Sequence, residues 1–230
     1  MKKLSIILPV RNESGLIVSQ LQRLQAYRER GHELIVVDGG SSDDTLAKAS
    51  NFADKVDSSP VGRARQMNHG ASLATGEILL FLHVDTTLPE RADQLINLAL
   101  SEHTSAWGWF NIRLSNNRFG YRLIGNMMNI RSRLTSVCTG DQAIFVQREL
   151  FESMNGFPVI ALMEDIAICK LLRSKGGEPA HPKVLAETSS RRWEEKGLLS
   201  TVLLMWKLRF LYFIGISPAR LVTMYYPNHD

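Results

Sequence analysis

Residues 76–89 read GEILLFLHVDTTLP. Six of the seven residues at positions 78–84 are apolar, the mark of a strand buried on both faces. The run predicts a strand over 77–83. It then meets His83 and Asp85, two potential metal ligands spaced i and i+2, which on a strand point the same way.

Working outward, strands and helices alternate. Leu4–Val10 is a second buried run and Glu33–Asp38 a third. Leu16, Ile17, Leu21 and Leu24 recur at helical spacing between them. Ser41 or Ser42 is placed to cap a helix through residues 41–50, with Asp43 and Asp44 at its positive end. A short strand is expected near Val56, and helices over 62–74 and 89–101. Such alternation predicts a parallel, doubly wound sheet with helices on both faces. Ligands bind such sheets outside the carboxyl ends of the strands. Three strand ends carry polar groups: Arg11-Asn12-Glu13, Asp38-Gly39-Gly40-Ser41 and His83-Val84-Asp85. They are expected to form one site.

After residue 105 the pattern changes. WGWFNIRLS (107–115) alternates like one strand. FGYRLIGNMMNIRSRL (119–134) reads as a helix, QAIFVQ (142–147) as a strand, RELFESM (148–154) as a helix, and NGFP as a turn. EDIAICKLLRSKGG is a helix closed by Gly176-Gly177. Residues 197–218 are strongly apolar, with Lys207 and Arg209 in their middle. Central charges disfavour a membrane span. They suit either a helix lying in a membrane surface or one docked on the protein's own core.

The 230 residues carry a net charge of +4 and 44 % hydrophobic residues, a globular composition. That charge suits phosphate-bearing ligands or an anionic membrane surface and is too small to argue for nucleic acid. Cys138 and Cys169 have no metal spacing and read as reduced thiols. The opening MKKLSIILPV lacks a cleavage site and reads as a strand rather than a leader. His69, His103 and His181 have no partner pattern and are taken as structural.

With these segments placed, the chain resembles the family 2 glycosyltransferases of GT-A fold. SIILPVRNE (5–13) is similar to that family's first strand and loop. ELIVVDGGSSDDT (33–45) is similar to its VVDDGSxDxT element, with Gly39 where the second Asp usually stands. GRARQMNHGASLATGEILLFLHVDTTLP (62–89) resembles the stretch ending in the metal-binding DxD, with His83 in place of the first Asp. MEDIAICKLLRSKG (163–176) resembles the helix whose ED pair supplies the base. RRW (191–193) is similar to the end of a QxxRW element, with Ser189 in place of Gln.

The resemblance implies a GT-A, Rossmann-like, mostly parallel sheet flanked by helices. It implies a catalytic domain over 1–195, split into a nucleotide-binding half (1–104) and an acceptor-binding half (105–195). A C-terminal apolar helical extension over 196–230 follows. The implied activity is inverting transfer of a sugar from a nucleotide diphosphate-sugar, UDP-linked in this reading, to an acceptor hydroxyl. Asp165 is the expected general base, with Glu164 beside it. Asp85 is the expected metal ligand and His83 its candidate partner. An imidazole there favours Mn²⁺ over Mg²⁺. Pro9, Arg11, Asn12, Glu13, Asp38 and Gly39 are expected to line the nucleotide pocket, and Arg63 and Arg65 to cradle the diphosphate. Gly140, Asp141 and Gln142 form a turn expected to orient sugar hydroxyls. Arg192 and Trp193 are expected to close over diphosphate and sugar. The apolar tail suggests a lipid-linked acceptor and contact of 198–216 with the inner face of the membrane by an otherwise cytoplasmic protein.

Three competitors stand. A sugar-phosphate nucleotidyltransferase is disfavoured because the loop after strand one has one glycine, at position 15. A dinucleotide-dependent oxidoreductase is disfavoured because no GxGxxG follows that strand. A non-catalytic sugar-nucleotide-binding protein on the same frame would explain Gly39 and His83, but leaves Asp85 and the Glu164-Asp165 pair without a role.

Overall fold

The structure is a computed structural model that describes residues 1–102 and 105–225. The first half runs β1 (Leu4–Val10), α1 (Ile17–Glu29), β2 (Glu33–Asp38), α2 (Thr45–Ala49), β3 (Lys55–Ser58), α3 (Arg63–Leu73) and β4 (Ile78–Phe81). It continues with β5 (Thr86–Thr87) and α4 (Ala92–Glu102). The second half runs β6 (Trp107–Gly108), β7 (Asn111–Leu114), α5 (Phe119–Thr135), β8 (Phe145–Gln147), α6 (Arg148–Ser153) and α7 (Glu164–Gly176). It closes with β9 (Leu185–Thr188), α8 (Arg191–Lys196), α9 (Leu198–Phe213) and α10 (Pro218–Tyr225).

One six-stranded sheet has the order β3-β2-β1-β4-β8-β6. The four strands from the first half are parallel, and β8 runs antiparallel to both β4 and β6. Strand order reverses between β1 and β4, which opens a crevice at their carboxyl ends. Alternate side chains enter opposite cores. Ile6, Leu8, Val36 and Leu80 meet Ile17, Leu21 and Ile96 on one face, while Ile7, Val37 and Phe81 meet Ala64, Met67 and Ile168 on the other. Helix α3 lies so close to the sheet that a Cβ on Gly70 would sit 2.4 Å from Ile7 Cγ2.

A small second sheet, β5-β9-β7, stands at the carboxyl edge of the first. It explains two departures from expectation. WGWFNIRLS is not one strand: β6 belongs to the large sheet and β7 to the small one. Between them Trp109 and Phe110 are buried, and Phe110 N–H is held by Gln142 O at 2.9 Å. Likewise β4 stops at Phe81, because the chain must turn to bring Thr86 against Thr188. His83 and Asp85 therefore sit on a turn, closed by Thr86 N–H to His83 O at 3.1 Å, and the strand-face argument for their alignment does not hold.

Helix α2 begins at Thr45 rather than Ser41, after a turn in which Asp43 accepts Thr45 N–H at 3.0 Å. Cys138 and Cys169 are free, buried and 3.4 Å apart at sulfur. His69 pairs with Asp57 at 2.7 Å and His181 stacks edge-on to Trp109 at 4.2 Å. His103 lies outside the described residues.

The apolar tail is docked on one side and open on the other. Leu208 of α9 and Leu221 of α10 are buried against Met163 and Ile166 at the start of α7. Leu199, Leu203, Trp206, Phe210 and Phe213 of α9 are exposed. No helix among the described residues is long and apolar enough to cross a membrane.

Candidate active site

The first two strand-end loops are stitched together. Asn12, held at φ +54°, receives Ser42 N–H on its side-chain oxygen at 2.8 Å and gives its own N–H to Ser41 Oγ at 2.8 Å. Glu13 N–H is held by Thr45 Oγ1 at 2.8 Å. Asp38 is buried and accepts the N–H groups of Gly40 and Ser41 at 2.9 and 2.8 Å as well as the Ser41 hydroxyl. Its carboxylate shapes the loop, so a hydrogen bond to a base would share it with three donors. Pro9 is half-buried at the end of β1, and Arg11 is exposed.

Gly39 has a reason that sequence reading missed. The Gln66 side chain fills the space above it, donating to Val10 O at 2.8 Å and Val37 O at 2.9 Å. A Cβ on Gly39 would lie 2.9 Å from three Gln66 atoms. Gly39→Asp, which restores the usual family residue, is therefore expected to lower the thermal midpoint, at a cost of about 1–3 kcal/mol. The loss should be smaller when Gln66→Ala is made with it. Calorimetric melting of the single and double variants checks this; equal losses in both would contradict it.

The crevice itself gathers residues far apart in the chain. Arg63, His83, Gly140, Glu164 and Asp165 line one cleft, floored by Met67, Phe81, Ile144 and Phe157. Arg63 opens α3 and its Nη1 lies 3.7 Å from Glu164 Oε1. Arg65 turns back to Val61 O at 3.4 Å, at the rim. His83 Nδ1 is 3.1 Å from Asp141 Oδ1. Its Nε2 is buried without a hydrogen-bond partner and faces Gly140, where a Cβ would come within 2.4 Å. Gly140 is thus the residue that leaves the imidazole room. Gln142 is fully buried, its Oε1 accepting the Ser132 hydroxyl at 2.7 Å, so it braces the turn and does not meet a substrate.

The charges divide clearly. Burial raises the Asp85 carboxyl above its ordinary range, with His83 opposing and Asp141 adding to the shift. Burial also raises Glu164, against the pull of Arg63. Burial raises Glu13, with Arg191 opposing and Asp85 reinforcing. Asp141 goes the other way: burial opposes its charge, but the His83 contact, Arg63 and Arg192 hold it below the usual range.

Arg191, which the motif reading passed over, lies 4.0 Å from Glu13 and bears on Asp85. Arg192 bonds the Tyr225 hydroxyl and stacks 3.9 Å over that ring, so it reaches the site from a position fixed by α10. Trp193 is half-buried and packs one side against Leu114, Tyr121 and Ile124. Three arginines and five carboxylates thus stand in or around one crevice, a setting for an anionic ligand that carries its own cation.

No group of three or more His, Cys, Asp or Glu among the described residues forms a complete metal site. A lone carboxylate such as Asp85 suits a hard divalent cation only where a diphosphate supplies most of the other ligands.

Comparison with known proteins bears on the family and the fold. The family model "Glycosyl transferase family 2" matches residues 5–152. The chain belongs to glycosyl transferase family 2. The "PGL/p-HBAD biosynthesis glycosyltransferase" of Mycobacterium bovis and that of Mycobacterium tuberculosis are each 32 % identical over 165 residues. The match covers 66 % of this chain and 62 % of theirs, so the chain spans about three fifths of the length of these family 2 relatives. Among solved structures, the mannosyltransferase PcManGT from Pyrobaculum calidifontis in complex with GDP-Man and Mn²⁺ superposes with a TM-score of 0.67 at 19 % identity. It covers 97 % of this chain and 68 % of that one. S. aureus TarS in complex with UDP-GlcNAc gives 0.65 at 18 %, covering 81 % and 58 %. At such identities the likeness is one of fold: GT-A, as the strand order and flanking helices already indicate.

Proposed function

We propose that this family 2 protein transfers a sugar, with inversion, from a nucleotide diphosphate-sugar to an acceptor hydroxyl. The observation that carries the reading is the meeting of Arg63, His83 and the Glu164-Asp165 pair in one cleft, with Asp85 in the field of that His83. The acceptor oxygen attacks the anomeric carbon while its proton passes to Asp165, and the bond from that carbon to the diphosphate breaks on the opposite side. Arg63, Arg191 and Arg192 hold the departing diphosphate. Glu164 positions Arg63. A divalent cation on Asp85 would, when bound, neutralise charge on the diphosphate. In our reading it is manganese in preference to magnesium, and the donor nucleotide is uridine diphosphate. A thermal-shift screen of UDP, GDP, CDP and dTDP, each with and without Mn²⁺ or Mg²⁺, tests this. Metal-dependent stabilisation by UDP, larger with Mn²⁺, is expected; no shift with any nucleotide would remove the donor reading.

We further propose that the protein works against an anionic lipid surface. Helices α5 and α9 each carry an exposed apolar stripe: Phe119, Leu123, Met127, Ile130 and Leu134 on one, Leu199, Leu203, Trp206, Phe210 and Phe213 on the other. Neither helix contains an acidic residue, and Arg122, Arg133 and Lys207 stand exposed among the stripes. Apolar stripes among cations suit a bilayer with negative headgroups. Phosphatidylcholine vesicles containing phosphatidylglycerol should sediment the wild-type chain, with a blue shift in Trp206 emission. Leu203→Glu/Phe210→Glu should stay in the supernatant. Equal behaviour of the two, or a concentration-dependent dimer in place of vesicle binding, would sink this second proposal.

A further inference from the structure

Two arginines beside Asp165 have no part in the donor chemistry. Arg131 lies near the end of α5 and Arg209 within α9. The two helices meet near their N-terminal ends. At one end Gly120 meets Leu198, where a Cβ would come within 2.9 Å of Leu198 Cδ1, and Tyr121 and Ile124 pack with Leu198 and Val202. The same number of residues further along each helix stand Arg131 and Arg209, whose charges act on one another. Leu208, next to Arg209, is buried against Met163 and Ile166, which flank Glu164-Asp165. The Asp165 charge also bears on Arg131. Arg131 thus lies in the field of the base and Arg209 in that of Arg131, on the side of the crevice built from the second half of the chain.

Their hydrogen bonding is incomplete. Arg131 Nη2 donates to Ser132 Oγ at 3.0 Å, but Arg131 Nε and Arg209 Nη2 are buried with no partner. Burial, and then the Arg209 guanidinium, push Arg131 down to about 10. Unpaired buried donors and adjacent like charges both destabilise the chain as it stands. An anion seated between them reverses both penalties, and guanidinium forks match the oxygens of a phosphate.

We propose that Arg131 and Arg209 form an acceptor subsite that binds a phosphate group of the acceptor and sets a neighbouring hydroxyl of the same molecule against Asp165. The inference rests on Asp165 being the base, and it names what the glycosyl acceptor must carry: a phosphate next to the hydroxyl that attacks. The open stripes of α5 and α9 lie on the same two helices, so the phosphate can arrive on a lipid or on a soluble ester.

The test fills the donor site first. The full chain is saturated with the nucleotide diphosphate and metal that stabilise it, so that the Arg63 cradle is occupied, and is titrated calorimetrically with glycerol 3-phosphate. Wild type should bind. Arg131→Gln and Arg209→Gln should each weaken binding about tenfold or more, and the lysine variants should recover part of the loss. Absent binding in wild type, or equal affinities in wild type and glutamine variants, overturns the proposal. Where Arg131→Gln does not fold, Arg209→Gln decides. A second arm replaces the soluble ester with vesicles of phosphatidylcholine and phosphatidic acid. Arginine-dependent gain on vesicles assigns the phosphate to a lipid; arginine-dependent binding of the ester alone assigns it to a soluble acceptor. If no nucleotide binds, the donor reading fails separately, and the phosphate titration still decides the subsite.

Discussion

Asp165→Asn is expected to lower the transfer rate by a factor of about 10²–10⁴, the usual worth of a positioned general base. Asparagine keeps the size of the side chain and can still accept Ile166 N–H, which now reaches Asp165 Oδ1 at 2.8 Å. The helix start is set independently by Met163 at φ +69°. Folding and nucleotide-induced stabilisation should therefore be unchanged, with the loss in kcat rather than in donor affinity. Glu164 cannot take over, because it is buried and engaged by Arg63. Single-turnover transfer, measured beside nucleotide binding, separates the effects. A fully active Asp165→Asn with an inactive Glu164→Gln would reverse the assignment of base and positioning residue.

Asp85→Asn should produce the other large effect, and in two directions. Loss of the carboxylate that anchors the diphosphate's cation should reduce transfer roughly a thousandfold. The metal-free chain should nevertheless become more stable. Burial raises the Asp85 carboxyl in the folded protein, so between its unfolded and folded values the folded state binds more protons. Stability then falls as pH rises through that window, and the full penalty stands above it. Asparagine removes the penalty. In chelator, the melting temperature of Asp85→Asn should exceed that of wild type at neutral pH. The gap should close as pH drops below the ordinary carboxylate range. A variant less stable than wild type at neutral pH would show that Asp85 serves the fold, not the ligand.

The parallel half of the fold is legible in the sequence because β1, β2 and β4 are buried on both faces and leave unbroken apolar runs. The elements not read there are those whose partners are distant. β5 has two residues and exists because β9 pairs with it; nothing local announces it. Trp107 to Leu114 alternates like one strand, yet its halves serve different sheets. At the site, Arg63, His83 and Glu164-Asp165 were named from motifs and do line one cleft. Gln66 was not named, because a glutamine that fills the place of a missing side chain leaves no signature in its own segment. Arg209 was visible as a cation inside an apolar helix, but its direction was not. Leu208 beside it packs inward on α7 and Lys207 stays exposed, a distinction that only the helix's docking face makes.

The order in which the chain emerges from the ribosome has a consequence for control. The four parallel strands are complete by Phe81, whereas Arg191 and Arg192 follow much later, and Tyr225, which holds Arg192, later still. N-terminal segments fold while synthesis continues. A growing chain can thus arrange its first strands, the loops around Asn12 and Asp38, and α3 with Arg63 before Arg191 and Arg192 exist. A product ending before Arg191 would carry Arg63 and the loops around Asn12 and Asp38 without the other two arginines proposed to hold the diphosphate.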